Sequence, residues 1–272
     1  MTTLRSSVRP NGQAGERLRL TIDESGIAEV VLDRPPVNAI DLLTLAELKQ
    51  AAEVLSLDKA VRAVMLRSAL EPIFAGGFDL DLLGQGWGDM LPMIRAFHDA
   101  ANSWVRIPSP TIAVIGGHAA GGGCELALAC DFRVMARGRP TIGVPEVKLG
   151  LLPSGGGTTR LPRLIGRAAA LDLLLRGRLI GADEAERIGL ITLATEPQDL
   201  DHSARALAAE LAALPPLAVR EIKRCVDLGL DGPLSAGLAL EERGNLALAE
   251  TADAREGVAA FNEHRPPRFK GV

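Results

Sequence analysis

An α/β core followed by an all-helical segment is the fold class the sequence predicts, and three features predict it. Strand-like and helix-like runs alternate from about residue 27 to residue 194. Glycine-rich bends punctuate them, at 76–77, 121–123 and 155–157. After Pro197 the strand signals stop, leaving helical patterns broken at "LPPLA" and "DGP" up to about Asn262. Strands alternating with helices signal a sheet with helical crossovers, and an unmixed helical run signals an appended layer. The expected division is therefore a core over residues 1–199, with a flexible start over 1–18, and a helical C-terminal segment over 200–272.

Taken in order, "MTTLRSSVRP" carries two Arg, two Ser and no acid, but is too short to read as a transit peptide, so it reads as a loose polar start. "GIAEVVLDRPPVN" alternates apolar and polar positions and stops at two prolines, as a strand and turn do. From Asp41 to Leu55, Leu42, Leu45, Leu48, Ala52 and Leu55 recur at helical spacing with Glu47, Lys49, Gln50 and Glu53 between them. Val61–Arg67 is a strand leading into "PIFAGGFDL", whose glycines open a loop. Residues 82–95 mix Gly, Pro and large apolar side chains without a period, the composition of a mobile, substrate-contacting loop. Thr111–Gly117 is a strand, "CELALAC" a short helix, and Phe132–Ala136 a further strand. "TIGVPE" and the bend "LLPSGGGTTRL" follow, then helical patterns over 158–175 and 183–188 and a strand over 190–194.

Composition narrows the function classes. The formal charge is −4 and no basic block interleaves with aromatics, which argues against a nucleic-acid surface. No apolar run reaches the ~20 residues of a membrane-spanning helix. Cys124, Cys130 and Cys225 lack the spacing of a zinc site or a disulfide framework and read as small residues of a reducing compartment. His98, His118, His202 and His264 are scattered without metal-ligand spacing, so no metal is expected, and His118 reads as a structural histidine beside a turn. The compartment expected is the cytoplasm, or the mitochondrial matrix for a eukaryotic source.

One residue does not fit its surroundings. Glu125 lies in the apolar run Cys-Glu-Leu-Ala-Leu-Ala-Cys, directly after Gly121, Gly122 and Gly123. Burying a carboxylate costs several kcal/mol unless something compensates. A helix starting at this triglycine aims unpaired N–H groups and the positive end of its dipole back past the glycines, where no Cβ blocks a ligand. The alternative is a tight turn between strand and helix. A second acid, Glu146, follows Pro145 in "GVPEVKLG" and by itself reads as a solvated loop residue. "PSGGGT" (153–158) is either an anion-binding backbone or a structural turn; it lacks the Lys of a P-loop. Ser154 lacks the Gly-x-Ser-x-Gly elbow of a serine hydrolase.

From about Ile27 onward the chain resembles the crotonase family, the enoyl-CoA hydratases and isomerases. The resemblance rests on "PTIAVIGGHAAGGGCELALACDFRVMA", "IGVPEVKLGLLPSGGGTTRLPRLIG" and "LIGADEAERIGLI", with "RPPVNAI" and "EGVAAFNEHRPPRFKG" in support. It implies a spiral of repeated ββα units and a C-terminal helical segment that assembles a homotrimer or a dimer of trimers. It also implies an acyl-CoA thioester substrate with no separate cofactor, coenzyme A being part of the substrate. The N–H groups of Gly122 and Phe78 would then form an oxyanion hole, and Glu125 and Glu146 would be the catalytic acids. Substrate contacts would come from Ala75, Gly76, Gly77 and Asp79 in one loop, from Gly121 and Gly123 in the triglycine, and from Pro145 and Pro153. Gly76 and the bulky Phe78 depart from the small residues usual there, and the ring is expected to narrow the acyl space. Asp79 is either polar support for the loop or an incidental acid. His264, Arg265 and Lys270 lie either near a neighbouring subunit's CoA phosphates or on plain surface. Two retained acids favour a hydratase over isomerisation, thioester hydrolysis or decarboxylation, which the same fold supports.

Overall fold

The computed structural model describes residues 17–79 and 90–272, whose strands form two sheets. Six strands make the larger sheet, in the order β1 (Leu18–Ile22), β2 (Ile27–Leu32), β3 (Ala63–Ser68), β5 (Thr111–Ile115), β7 (Phe132–Ala136) and β10 (Leu193–Thr195). Within it only the β1–β2 hairpin is antiparallel. The smaller sheet runs β4 (Ile73–Ala75), β6 (His118–Ala120), β8 (Ile142–Gly143), β9 (Leu179–Ile180), and α5 (Ala182–Arg187) leads from β9 to β10. Each of β3, β5 and β7 is followed within a few residues by a short strand of the smaller sheet and then by helical structure. This is the expected ββα spiral.

A parallel sheet covered on both faces needs apolar side chains on both, and the central strands supply them. All five residues of β5 are buried. Val64, Leu66, Ala113 and Ile115 face the main core, under α1 (Leu42–Leu57) and α2 (Met90–Val105). Ala63, Met65, Ile112 and Val114 face the opposite side, where Ala204 and Ala208 of α6 (Leu200–Ala212) close over them. These two alanines are four apart, hence on one helix face, and their size lets the helix approach closely. The first helix of the C-terminal segment is thus a layer of the core. Beyond it, α7 (Pro216–Leu230) is tied back by Lys223, whose ammonium reaches the Asp131 carboxylate and the Ser109 carbonyl. α8 (Leu234–Ala249) and α9 (Ala252–Asn262) follow.

The structure departs from several sequence expectations. Leu18 opens β1, so the loose start does not extend to it; residues 1–16 lie outside the described residues, as do 82–89 of the predicted loop. Residues 90–95 are helical: Pro92 falls in the first turn of α2, where a missing N–H removes no intrahelical bond. Glu47, placed among the polar positions of α1, is buried and accepts the N–H groups of Arg17 and Leu18. Leu190 and Ile191 are buried by packing ahead of the strand, which starts at Leu193. β4 and β6, three residues each, are too short to display a period.

The crossing from β5 to β6 passes Gly117, where an added Cβ would overlap the Pro72 carbonyl and the Ile73 nitrogen. Gly117→Ala should therefore lower stability by ~2 kcal/mol or more, read as a drop of several degrees in the thermal midpoint with little change in far-UV circular dichroism.

Candidate active site

The "RPPVNAI" block serves as a bed for the "FAGGF" loop. Asn38, at φ 48°, turns its amide inward to donate to Ser68 Oγ at 2.8 Å and to the Phe74 carbonyl at 3.0 Å. The loop then pairs with the bed residue by residue. Gly76 N–H donates to Val37 O (2.9 Å), Ile40 N–H to Gly77 O (2.7 Å) and Asp79 N–H to Ile40 O (3.0 Å). The N–H of Phe78 meets no backbone acceptor among the described residues. Arg34 braces the arrangement, donating to Asp79 Oδ2 at 2.6 Å and to the Ala39 carbonyl at 2.8 Å. Asp79 is thus polar support for the loop. The Phe78 ring is half-buried and leans edge-on against Phe97, the ring centroids 5.4 Å apart.

The triglycine supplies the second turn. Gly121 takes φ 56°, ψ −121°, and its N–H is held by the Gly143 carbonyl. Helix α3 (Gly122–Leu128) begins at the next residue, and its first turn closes with Glu125 N–H on Gly121 O at 3.0 Å. The Gly122 N–H, ahead of that bond, meets no described backbone acceptor. The two turns touch: a Cβ built on Gly122 would lie 3.4 Å from Gly77 Cα, and one on Gly77 3.4 Å from Gly122 N. At the far end of this seven-residue helix the buried guanidinium of Arg133 donates to the carbonyls of Ala127 and Cys130, at 3.2 and 2.6 Å. A cation there complements the negative end of the helix. Sequence reading missed Arg133 because it lies in a strand that reads as simply apolar.

Glu125 lies in the first turn of α3, and Glu146 reaches Gly121 from a later segment. Glu125 is only 1 % exposed. Its Oε1 accepts the N–H groups of Gly155 and Gly157, both at 2.7 Å, while Oε2 is buried with no partner among the described residues. The "PSGGGT" bend thus grips a carboxylate of the protein itself, at the start of α4 (Gly157–Arg176). Glu146 opens the 3-10 turn Glu146–Leu149, and a Cβ on Gly121 would come within 2.7 Å of its Oε1. Its Oε2 is likewise buried and unpaired. Burial drives the Glu125 pKa from the ordinary 4.5 up to about 7; the N–H of Gly157 opposes the rise and the charge of Glu146 adds to it. Burial raises Glu146 as well.

The remaining predicted residues fall into two groups. Gly76 and Gly77 shape the first turn, and Pro145 leads directly into Glu146. Ala75 and Gly123 pack on one another beneath the two turns, where a Cβ on Gly123 would overlap the Ala75 carbonyl. Pro153 packs against Gly157 and borders an apolar cleft with Val147, Leu152 and Leu171. His118 hydrogen-bonds Thr141 Oγ1 through Nδ1 at 2.8 Å, a structural role. The Ser154 hydroxyl donates to Leu152 O rather than to a base. Arg265 is engaged by Glu256 of its own chain at 2.6 and 2.9 Å. No cluster of His, Cys, Asp or Glu able to hold a metal occurs among the described residues, and none of their helices is long and apolar enough to cross a membrane.

A carboxyl whose pKa is higher folded than unfolded binds extra proton in the folded state. Its contribution to stability is complete below the unfolded pKa and is lost as pH rises through the folded one. For Glu125 that window runs from 4.5 to about 7. The thermal midpoint of Glu125→Gln, relative to the parent, should rise by several degrees between about pH 5 and about pH 8, as calorimetry across that range would measure.

The enoyl-CoA hydratase/isomerase family model matches residues 23–272. Mouse methylglutaconyl-CoA hydratase, a mitochondrial protein, is 39 % identical over 239 residues, covering 86 % of this chain and 76 % of its own. The bovine enoyl-CoA hydratase domain-containing protein 2, also mitochondrial, is 37 % identical over 269 residues, covering 96 % and 90 %. The solved enoyl-CoA hydratase of Bacillus anthracis superposes with a TM-score of 0.90 at 33 % identity, over 94 % of this chain and 100 % of its own. With the touching glycine turns and the two acids beside them, these likenesses make the chain a member of the enoyl-CoA hydratase/isomerase family.

Proposed function

We propose that this protein is an enoyl-CoA hydratase, adding water across the 2,3 double bond of an enoyl-CoA thioester. In this reading the N–H groups of Phe78 and Gly122 donate to the thioester oxygen. Their bonds strengthen as that oxygen takes on enolate charge, which lowers the barrier more than it tightens substrate binding. Glu125 holds the attacking water through its free Oε2 and takes the proton as oxygen bonds to Cβ. The electron pair of the double bond moves onto the enolate. Glu146 returns a proton to Cα as the enolate collapses, so one water is consumed and the acids exchange one proton per turnover.

The observation that carries the proposal is a pair of carboxylates, one from the first turn of α3 and one against Gly121, each with one buried oxygen that meets no partner among the described residues. Leaving such an atom unmet costs ~1–3 kcal/mol, a cost that a bound water donating to it would remove. A pKa near 7 suits Glu125 to exchange protons at neutral pH. Two neighbouring carboxyls that share one proton titrate as a unit, so kcat/KM should be bell-shaped around neutrality.

The same reading assigns no cofactor beyond the coenzyme A of the substrate, a homotrimeric or hexameric assembly, and a cytoplasmic location, or the mitochondrial matrix for a eukaryotic source. Exposed Ile222, Val226, Leu238, Val258 and Phe261 on α7, α8 and α9 support the assembly. The three free cysteines support a reducing compartment.

With crotonyl-CoA, the conjugated thioester absorbance should fall as water adds. Glu125→Gln and Glu146→Gln should each lower kcat by ~10²–10⁴-fold. A double-bond shift with no hydrated product would place the chain among the isomerases, and a loss under about threefold in either variant would remove that acid from the chemistry.

A further inference from the structure

Three backbone turns build the proposed site, and glycine is what makes each of them possible. Glycine permits the geometry but provides no side chain to anchor it, and it is the residue with the most backbone freedom to lose. The placement of these amides must therefore come from whatever packs beneath them. The same ring lies under all three. A Cβ on Gly122 would sit 3.1 Å from Phe97 Cε1. A Cβ on Gly155, whose N–H holds Glu125, would sit 2.6 and 2.7 Å from Phe97 Cζ and Cδ1. Phe78, whose own N–H borders the site, stands edge-on to the same ring at an interplanar angle of 66°.

Phe97 is fully buried and belongs to a rigid element. Helix α2 buries Met93, Phe97, Ala100, Ala101 and Trp104 along one stripe, and Trp104 Nε1 donates to the Leu48 carbonyl of α1 at 3.0 Å. The ring is therefore held from below by the α1–α2 pair and bears upward on the glycine turns.

We infer that Phe97 is a positioning residue for the hydration proposed above, a spacer that sets the separation of the Phe78 and Gly122 amides and of the Gly155 amide that aims Glu125. Interiors are packed near crystal density, so a flat ring transmits its position to every group touching it. A smaller or branched side chain leaves a void that flexible backbone moves to fill. A displacement on the order of 1 Å at reacting groups costs up to about a hundredfold in rate. The inference rests on the hydratase reading for its kinetic consequence, and on geometry alone for its structural one.

The test compares Phe97→Leu with Val134→Ala, a substitution buried on the opposite face of the large sheet and away from the turns, in the full-length protein. Phe97→Leu should lower kcat by about tenfold or more with KM changed by less than about threefold. Backbone hydrogen exchange should accelerate in both the 117–128 and 153–160 segments. Val134→Ala should lower the thermal midpoint yet leave kcat within about twofold and exchange in both segments unaltered. Phe78→Ala, altered on the half-exposed side and so safe for folding, should accelerate exchange in the same two segments. It answers the question if Phe97→Leu does not fold. Unchanged exchange in the folded variants, or kcat within about threefold of the parent in Phe97→Leu, overturns the inference. A parent protein that does not hydrate crotonyl-CoA overturns the functional reading instead, and the exchange comparison still decides the role of Phe97.

Discussion

Glu125 keeps a carboxylate inside the protein because two peptide N–H groups, from Gly155 and Gly157, reach its Oε1 at 2.7 Å. Most of the surrounding architecture follows from meeting that demand. The start of α4 must abut α3, although 28 residues separate them in sequence. The bend between must be glycine, since a side chain at Gly157 would approach Glu125 Oε1 to 3.0 Å and one at Gly155 would strike Phe97. Arg160 completes the clamp from outside, donating to the Gly155 carbonyl at 2.8 Å. One oxygen is thereby saturated and the other left bare, which orients the acid without spending its basicity.

A second layer of order supports the two turns with open amides. The loop at 76–79 follows the "RPPVNAI" segment through alternating backbone hydrogen bonds, and Arg34 fastens its end through Asp79. Helix α3 is too short to be stable by itself, and it is held at both ends: by the Gly143 carbonyl before it and by the Arg133 guanidinium after it. The groups that do this are far from one another in sequence and have no catalytic look. Arginines, an asparagine with a positive φ and a buried phenylalanine make up the frame on which small residues present their backbone.

Periodicity made the long elements legible. Phe132–Ala136 appears as the sequence predicts. The Leu42–Leu57 helix buries Leu45, Leu48, Ala52 and Leu55 of the stripe read from its spacing, though Leu42 is exposed. The helices from Leu200 to Asn262 break at the two proline-containing stretches and, without a sequence signal, again at Glu250–Thr251. The short strands Ile73–Ala75 and His118–Ala120 exist only because each lies beside a partner strand, and three residues hold no period to read. Helix α2 was hidden in part by Pro92 and the glycines before it. Glu47 shows the limit from the other side, since a polar residue between leucines reads as exposed until the backbone of Arg17 and Leu18 arrives to bond it.

The sequence by itself determined the layered α/β plan, the glycine turns and the oddity of Glu125, because alternation, backbone permissiveness and the cost of burying charge are local properties. Only the folded chain reveals that Glu146 comes up against Gly121, that "PSGGGT" holds a carboxylate of the protein, and that Phe97 lies under three separate turns. These are relations between residues about 20 to 60 positions apart, and nothing in the spacing of residues along a chain records which surfaces will meet once it folds.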